Sequence, residues 1–178
     1  MNSFNVYVFT LINQGAGQWP LLDGFFIWLT SYITWSAVLL VLLYIFSYPF
    51  RTADPLARLR RIGAATEVAL SLFVTWAIAT ILKVLVAYPR PFQTLPHIKQ
   101  LVAAAPYESF PSGHAALTMA IAIAVLPYHK HLGHILIAFS LVVAMSRMFV
   151  GVHYPFDIGV GLLIGYLVPK LIHRAFVK

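Results

Sequence analysis

A histidine and an aspartate that follow an apolar segment are the first candidates for chemistry. The stretch Ser146 to Asp157 reads SRMFVGVHYPFD and contains Arg147, His153 and Asp157. Ionisable groups are costly within a membrane segment, so those that occur there are usually functional. Pro155, between the two residues, is suited to the first turn of a helix. If that turn is helical, the Asp157 carboxylate can hold one ring nitrogen of His153 and leave the other free to act as a nucleophile.

Three basic side chains in or next to apolar segments are suited to bind a phosphoryl group. Lys83 and Arg90 are about two helical turns apart, so Lys83 can point toward the end of the helix that delivers Arg90. Arg147 lies one or two helical turns before His153. Guanidinium and ammonium groups match the several oxygens and the dense negative charge of a phosphoryl group. Because unpaired cations in a low-dielectric recess would be prohibitively costly, their convergence predicts a bound anion.

The sequence PSGH, Pro111 to His114, supplies a helix start of the kind that binds anions. Ser112 is a good N-cap residue, Gly113 lets the backbone approach a ligand closely, and free N–H groups at a helix start attract negative charge. His114 would stand beside the phosphate, where an imidazole that titrates near neutral pH can protonate a leaving oxygen. With His153 as nucleophile, these groups predict two in-line displacements through a phosphohistidine, with no metal or other cofactor required.

The composition indicates a membrane protein. Of 178 residues, 61% are hydrophobic and only 10% are charged, which is more apolar surface than a soluble domain of this length needs for its core. The chain has no cysteine, which excludes a disulfide framework and a thiolate metal site. A net charge of +7 would suggest nucleic acid in a soluble protein, but here the basic residues lie mostly between apolar segments. We therefore expect the lipid bilayer as a partner, and no nucleic acid.

The apolar segments predict an all-α integral membrane protein. We expect a bundle of five spanning helices plus a short N-terminal interfacial helix, or six helices if the N-terminal one inserts. Residues 1–178 are expected to form a single membrane-embedded domain. The predicted spans are Leu21 to Tyr48, Ile62 to Tyr88, His114 to Leu126, Leu132 to Val152 and Phe156 to Phe176.

The first fourteen residues have the spacing of a short amphipathic helix. The apolar side comprises Phe4, Tyr7, Val8, Leu11 and Ile12. Three asparagines lie largely opposite, namely Asn2, Asn5 and Asn13. Because this segment is too short to span a bilayer, it is expected to lie in the interface.

Two features of the middle of the chain bear on how a lipid would reach the site. The third apolar run covers only about 20 Å of a hydrocarbon core about 30 Å thick, so the helix start at Ser112 is expected to lie in a recess. In the polar connection 92–110, an apolar face of a short interfacial helix could be formed by Ile98, Leu101 and Val102. Such a helix would be a lid over a lipid site.

The distribution of basic residues predicts the orientation. One side of the membrane carries eight, namely Arg51, Arg58, Arg60, Arg61, Lys130, Lys170, Arg174 and Lys178. The other side carries four, namely Lys83, Arg90, Lys99 and Arg147. Because the side richer in basic residues faces the cytoplasm, the C-terminus is predicted to be cytoplasmic and all three polar clusters extracytoplasmic.

Taken together, the three clusters resemble the signature of a known family. Lys83 to Pro91 reads K, six residues, RP, and it is followed by PSGH and by SR, five residues, H, three residues, D. In this order they look like the three-part signature of the type 2 phosphatidic acid phosphatase family, membrane lipid phosphate phosphatases related to vanadium haloperoxidases. The family's membrane members commonly have six spans, so this chain departs from them at its N-terminus.

The resemblance implies a role for each matching residue. It implies that His153 is the nucleophile, Asp157 its partner and His114 the general acid. It assigns the phosphate contacts to Lys83, Arg90, Ser112, Gly113 and Arg147. The implied substrate is a phosphorylated membrane lipid.

The expected function is hydrolysis of a lipid phosphate or diphosphate in a bacterial inner membrane, with undecaprenyl diphosphate as the leading substrate. Phosphatidylglycerophosphate, phosphatidic acid and the 1-phosphate of lipid A remain alternatives, as does transfer of the phosphoryl group to another lipid. A transporter for anionic lipids or ions is the alternative from a different class. The sequence leaves the oligomeric state open.

Several polar residues also have structural interpretations. Arg147 could instead pair with Asp157, and Lys83 or Arg90 alone could be a snorkelling interfacial side chain. Glu67 is expected to be a hydrogen-bonding group in helix packing, with a proton relay as the alternative. A cluster near a predicted cytoplasmic turn lacks a carboxylate and is expected to be solvated rather than metal-binding: His129, His131 and His134.

Overall fold

Every regular element in residues 3–177, the part of the chain that this computed structural model describes, is a helix. In order the α-helices are α1 (Ser3–Asn13), α2 (Pro20–Trp28), α3 (Thr34–Ser47), α4 (Pro55–Val86), α5 (Pro91–Thr94), α6 (Gly113–Val125), α7 (Lys130–Phe149) and α8 (Pro155–Phe176), and a 3-10 turn, Tyr48–Arg51, follows α3. The all-α prediction is therefore confirmed. Of the residues discussed above, Asn2 and Lys178 lie outside the described residues.

Four stretches are long and apolar enough to cross a membrane. They are Pro20–Arg51, Pro55–Thr94, Lys130–Phe149 and Pro155–Phe176. Large apolar side chains on their outer faces are exposed, among them Leu40, Phe73 and Leu163. Exposed apolar surface on this scale fits a lipid environment, and the prediction of an integral membrane protein is confirmed.

A π-helical turn, Leu29–Ile33, joins α2 to α3 within the first long stretch. The Thr34 hydroxyl donates to the Leu29 carbonyl at 2.6 Å. Turns of this kind inside α-helices occur frequently at functional sites. Here the turn directs Thr30 into the bundle, where its side chain is fully buried.

The short helix α6 lies at the centre of the bundle and packs against α4, α7 and α8. Its contact with α8 depends on two glycines that allow the backbones to approach closely. A Cβ at Gly161 would lie 2.5 Å from the Ser112 carbonyl oxygen, and one at Gly165 would lie 2.3 Å from that of Ala116. Close packing of α8 therefore places the start of α8 beside the start of α6.

The predicted lid helix in the connection 92–110 is wrong. Only α5 is helical there, and the following residues form turns and irregular backbone. His97 and Tyr107 have left-handed φ values of 60° and 55°, which an α-helix cannot accommodate. Leu101 and Val102 instead pack against the C-terminal end of α7. This connection is thus held on the bundle by its apolar side chains.

At about 16 Å, α1 is too short to span a bilayer. Its predicted apolar side is exposed at Phe4, Tyr7 and Leu11, as a position in the interface requires. Asn13 lies on the opposite side, as expected, and it is buried, with only 2% of its surface exposed. The asparagine side of α1 therefore faces the protein.

Candidate active site

The structure brings the three polar clusters to one end of the bundle. Lys83 lies in the last turn of α4, Arg90 immediately precedes α5, and Ser112 precedes α6. Arg147 lies in the last turn of α7, and His153 lies in the turn between α7 and α8. Because α4 and α7 end where α6 and α8 begin, residues far apart in sequence share one recess.

One imidazole nitrogen of His153 is in contact with an arginine. Nε2 lies 3.3 Å from Nη1 of Arg90, and the residue is 2% exposed. A guanidinium has only N–H donors, so this contact requires Nε2 to present its lone pair and Nδ1 to carry the proton. The nitrogen that could attack phosphorus is therefore Nε2.

Burial lowers the pKa of His153 well below its ordinary value of 6.5, and the positive charges of Arg147, Arg90 and Lys83 lower it further. An interaction with the backbone of Ser109 opposes the shift only in part. The imidazole is therefore neutral at physiological pH, which is the protonation state that a nucleophile needs.

Asp157 is positioned by residues other than His153. Its Oδ2 atom accepts hydrogen bonds from the Ser109 hydroxyl at 2.5 Å and from the Tyr154 backbone N–H at 2.8 Å. The Nδ1 atom of His153 lies 3.8 Å from the same oxygen, beyond hydrogen-bonding distance. The predicted hydrogen bond between Asp157 and His153 is thus absent from this structure, because two other donors hold that oxygen.

Lys83 and Arg90 are directed by backbone carbonyls. Lys83 Nζ donates to the Glu108 carbonyl at 2.5 Å, and Arg90 donates from Nε to Ala105 at 2.6 Å and from Nη1 to Val152 at 2.8 Å. These bonds tie the connection 92–110 to the site. They leave the charge of both cations without a carboxylate partner among the described residues.

Arg147 is 6% exposed and reaches across to the π-helical turn, where its Nη1 donates to the Thr30 hydroxyl. Its Nε atom is buried without a hydrogen-bond partner. Arg147 forms no ion pair within residues 3–177, so the alternative pairing with Asp157 is wrong. A buried guanidinium with an unused donor is suited to receive an anion.

Ser112 occupies the N-cap position of α6, as predicted, but its hydroxyl makes no capping hydrogen bond. That hydroxyl oxygen is buried without a partner, while the Ser112 backbone N–H donates to the Asp157 carbonyl at 3.0 Å. A Cβ added at Gly113 would lie 3.8 Å from Cε of Lys83. The helix start therefore lies directly against Lys83 and the first turn of α8.

His114 lies in the first turn of α6 and is half-buried. Its ring packs against Trp35, with the ring centroids 4.9 Å apart. A general acid needs a fixed ring orientation, and an aromatic neighbour from α3 provides one. Every residue predicted for the site thus lies at the same end of the bundle.

Three residues around the site were missed in the sequence. Ser109 donates to Asp157, Thr30 contacts Arg147, and Trp35 packs on His114. None belongs to a motif with recognisable spacing, and a tryptophan in an apolar span is usually a membrane-belt or packing residue. Only the fold places them beside the signature residues.

A second buried polar group lies at the opposite end of the bundle. Glu67 accepts hydrogen bonds from Tyr128 at 2.5 Å and from the Nδ1 atom of His173 at 2.9 Å. Burial and the hydrogen bond to Glu67 raise the pKa of Tyr128, so its hydroxyl keeps the proton that it donates. The prediction that Glu67 is a hydrogen-bonding group in helix packing is confirmed.

A family model described as the PAP2 superfamily matches residues 64–178, a range that includes every predicted site residue. The undecaprenyl-diphosphatase of Sulfolobus acidocaldarius is 32% identical over 170 residues, covering 91% of this chain and 73% of that protein. A Bacillus licheniformis protein named bacitracin transport permease protein BcrC is 28% identical over 166 residues, covering 93% and 77%.

The fold is also similar to a solved structure. The crystal structure of Aquifex aeolicus LpxE superimposes with a TM-score of 0.80 and 29% sequence identity, covering 97% of this chain and 96% of that one. The similarity therefore extends beyond the residues of the family model to nearly the whole chain.

Proposed function

The chain belongs to the PAP2 superfamily and is an integral membrane lipid phosphatase, and we propose that it cleaves the diphosphate of an undecaprenyl diphosphate-type carrier lipid. A relative named undecaprenyl-diphosphatase, of which the match covers 73%, supports this substrate. The proposal includes a single catalytic domain over residues 1–178, with its site at the extracytoplasmic face and its C-terminus in the cytoplasm.

The observation that carries the proposal is a set of buried donors without partners. The Ser112 hydroxyl and the Nε atom of Arg147 are buried and make no hydrogen bond. Buried polar groups are almost always paired, so unpaired donors at the end of the bundle that carries His153 mark a place where a ligand can supply acceptors. A phosphoryl group, with several anionic oxygens, fits these donors together with the charges of Lys83 and Arg90.

In the first step, Nε2 of His153 attacks phosphorus in line with the bond to the leaving oxygen. As phosphate oxygens take up the Arg90 donors, the lone pair of Nε2 is released for the attack. The P–N bond forms, the P–O bond to the lipid breaks, and His114 gives its proton to the leaving oxygen. The negative charge of Asp157, close to Nδ1, stabilises the ring as it becomes cationic.

In the second step, water attacks the phosphohistidine on the same in-line path. His114, now neutral, accepts the proton of the water, a P–O bond forms and the P–N bond breaks. His153 returns to its neutral state and inorganic phosphate leaves. For a diphosphate substrate the lipid product is the monophosphate.

A cavity of about 700 Å³ beside Asp157 supports a lipid substrate. Its walls are mainly apolar and come from α1, α4, the connection before α6, and α8. Phe110 and Phe156 stack there with their ring centroids 5.6 Å apart. A substrate with its phosphate at His153 could thus keep its hydrocarbon tail against apolar side chains.

Release of inorganic phosphate from a polyprenyl diphosphate tests the proposed activity. The purified protein in detergent, with a chelator present, is expected to release phosphate, and His153→Gln is expected to abolish it. Comparing polyprenyl diphosphate with phosphatidylglycerophosphate, phosphatidic acid and lipid A separates the candidate substrates. A higher kcat/KM for any of the other three would overturn the choice of substrate.

The transporter alternative predicts charge along the whole bundle axis. Between Glu67 and Lys83, α4 carries no charged residue, and the core around α6 is apolar. This distribution favours an enzyme with its site at one end. A protein that released no phosphate, and whose lipid or ion flux in liposomes changed in His153→Ala, would instead be a transporter.

A further inference from the structure

The helix α1 lies outside the residues that the family model matches, yet it contacts the turn that carries His153. Its inward side comprises Asn5, Phe9 and Asn13, spaced at i, i+4 and i+8 along the helix. Phe9 is fully buried and Asn13 is 2% exposed. These side chains reach both helix ends that flank the turn.

Asn13 caps the C-terminal end of α7. Its Nδ2 group donates to the Phe149 carbonyl at 2.8 Å and to the Lys99 carbonyl at 2.9 Å, and its Oδ1 atom accepts from the Lys99 N–H at 3.0 Å. The last carbonyls of a helix have no partner within the helix, so a buried one needs an external donor. Asn13 provides that donor just before the turn begins.

Asn5 caps the N-terminal end of α8. Its Oδ1 atom accepts a hydrogen bond at 2.9 Å from the backbone N–H of Phe156, in the first turn of the helix. The first N–H groups of a helix also lack partners within it. Because the neighbouring residue is Asp157, this bond fixes the backbone from which the carboxylate extends.

Phe9, between the two asparagines, packs against Tyr154, with the ring centroids 5.5 Å apart. Tyr154 follows His153 directly, is itself fully buried, and its hydroxyl is 2.5 Å from the Thr94 hydroxyl. Phe9 therefore contacts the turn between the two helix ends that Asn5 and Asn13 cap.

We propose that Asn5, Phe9 and Asn13 are positioning residues that hold the turn from α7 to α8, so that His153 and Asp157 are aligned for reaction. The inference rests on the proposed function, in which His153 attacks the phosphate. It gives α1 a role in phosphoryl transfer as well as in membrane attachment. None of the three side chains touches the reacting atoms.

The physical reason is the sensitivity of an in-line attack to distance. A displacement of the nucleophile by about 1 Å can reduce the rate on the order of 10²-fold. The turn has backbone bonds to the end of α7, and its carbonyls at Val150 and Val152 are bound by Leu101 and Arg90. Loss of the α1 contacts would remove the donor for the Phe149 carbonyl and the acceptor for the Phe156 N–H, one on each side of His153.

The sharpest test is a pair of substitutions at Asn5. Asn5→Leu removes the acceptor for the Phe156 N–H at similar size, whereas Asn5→Asp keeps an acceptor oxygen. We expect Asn5→Leu to lower kcat by about tenfold, since misplacement of the turn affects the chemical step. Asn5→Asp, which keeps the acceptor, is expected to lose clearly less kcat than Asn5→Leu. The substrate is polyprenyl diphosphate, and a thermal unfolding midpoint is measured for each variant.

KM separates positioning from a role in binding, because Asn5 also lines the cavity beside Asp157. Positioning predicts that kcat falls while KM is nearly unchanged. A rise in KM with kcat intact would show that Asn5 contacts the lipid instead, and would overturn the proposal. Equal loss in Asn5→Leu and Asn5→Asp would also overturn it, since the acceptor would then be irrelevant.

Two further variants complete the test. Asn13→Ala is expected to lower kcat as well, whereas Leu11→Ala, on the exposed side of the same helix, is expected to leave it unchanged. If Asn13→Ala is too unstable to assay, the comparison of kcat between Asn5→Leu and Asn5→Asp tests the proposal. Wild-type protein that is inactive on every lipid phosphate would refute the proposed function, whereas an active wild type with fully active Asn5→Leu would refute only the positioning role.

Discussion

Asp157 and His153 lie close together without a hydrogen bond, because the Ser109 hydroxyl and the Tyr154 N–H already hold the Asp157 oxygen. In the proposed mechanism the carboxylate therefore acts on the imidazole through its charge and through the backbone that both residues share. Active-site hydrogen bonds often lengthen without substrate and shorten in the reacting complex. Ser109 is the residue that sets the starting position of this carboxylate.

Removal of the Ser109 hydroxyl should therefore impair turnover. In Ser109→Ala the Asp157 carboxylate loses a hydrogen bond of a kind that contributes about 1.5–3 kcal/mol when the acceptor is charged. We expect kcat to fall by about tenfold, which corresponds to about 1.4 kcal/mol, with KM little changed. Ser47→Ala, which loses a comparable hydroxyl at the far end of α3, serves as the control. Full activity in Ser109→Ala would show that the hydrogen bond from the Tyr154 N–H is enough to position Asp157.

The pH dependence of kcat/KM should reflect the lowered pKa of His153. Because attack needs the neutral imidazole and the pKa is shifted well below 6.5, activity should persist below pH 6.5 and fall only in more acidic solution. Toward basic pH kcat should fall as His114 loses, in the substrate complex, the proton that the leaving oxygen needs and that the bound phosphate anion stabilises, which gives a bell-shaped profile. A flat profile from pH 5 to 9 would contradict this pair of roles.

The lowered pKa of His153 also predicts how the pH profile of kcat/KM changes when Arg147 is replaced. Arg147→Gln removes the largest charge contribution that lowers the pKa of His153, so that pKa should rise and the acidic limb of kcat/KM should move to higher pH. Absolute activity should also drop, because Arg147 is proposed to bind the phosphate. An acidic limb that stayed in place would show that Arg147 does not act on His153.

At the scale of the helices, the site depends on how closely α8 approaches α6. A Cβ at Gly165 would lie 2.3 Å from the Ala116 carbonyl oxygen, so any side chain there must push the two helices apart. That movement would separate His153 and Asp157 from Ser112 and His114. Gly165 is therefore required by packing, although it lies about two helical turns from Asp157.

Gly165→Ala should reduce both stability and activity. We expect a loss of about 1–3 kcal/mol in the free energy of unfolding, typical of overpacking, together with a lower kcat. Gly63→Ala is the matched control, because its Cβ would meet nothing within 4 Å and alanine favours a helix. Unfolding in detergent and phosphate release measure the two effects. Equal behaviour of the two variants would mean that this helix contact does not shape the site.

The helices themselves were largely predictable from the sequence, and their interactions were not. Apolar runs gave the long helices because a bilayer demands them. The prediction of a lid helix was wrong because the spacing of Ile98, Leu101 and Val102 was interpreted as an amphipathic face. These residues lie in a segment whose backbone is left-handed at His97 and Tyr107.

The residues of the site were predictable for a different reason. Lys83, Arg90, His114 and His153 have types and spacings that phosphate chemistry explains on its own. Ser109, Thr30 and the inward asparagines of α1 have no such pattern, because each acts through one backbone or side-chain atom that only tertiary packing brings near. Short polar residues in a membrane protein thus remain ambiguous until their neighbours are known.

For the whole molecule, the orientation in the membrane is open to a direct test. The chain contains no cysteine, so single cysteines can be introduced without background labelling. Gln100→Cys, exposed in the connection near the site, should react from outside intact cells with a membrane-impermeant maleimide. Arg58→Cys, exposed at the other end of α4, should react only after permeabilisation. The reverse pattern would place the site on the cytoplasmic face.

The central claim is that the bundle holds one recess in which His153 becomes covalently phosphorylated. Rapid acid-free quenching of the purified protein with a radiolabelled lipid diphosphate tests it most directly. We predict a protein-bound phosphate that is stable in base and labile in acid, as a phosphoramidate is, and that is absent from His153→Gln. Undiminished labelling of His153→Gln, or its continued turnover at the wild-type rate, would contradict the account.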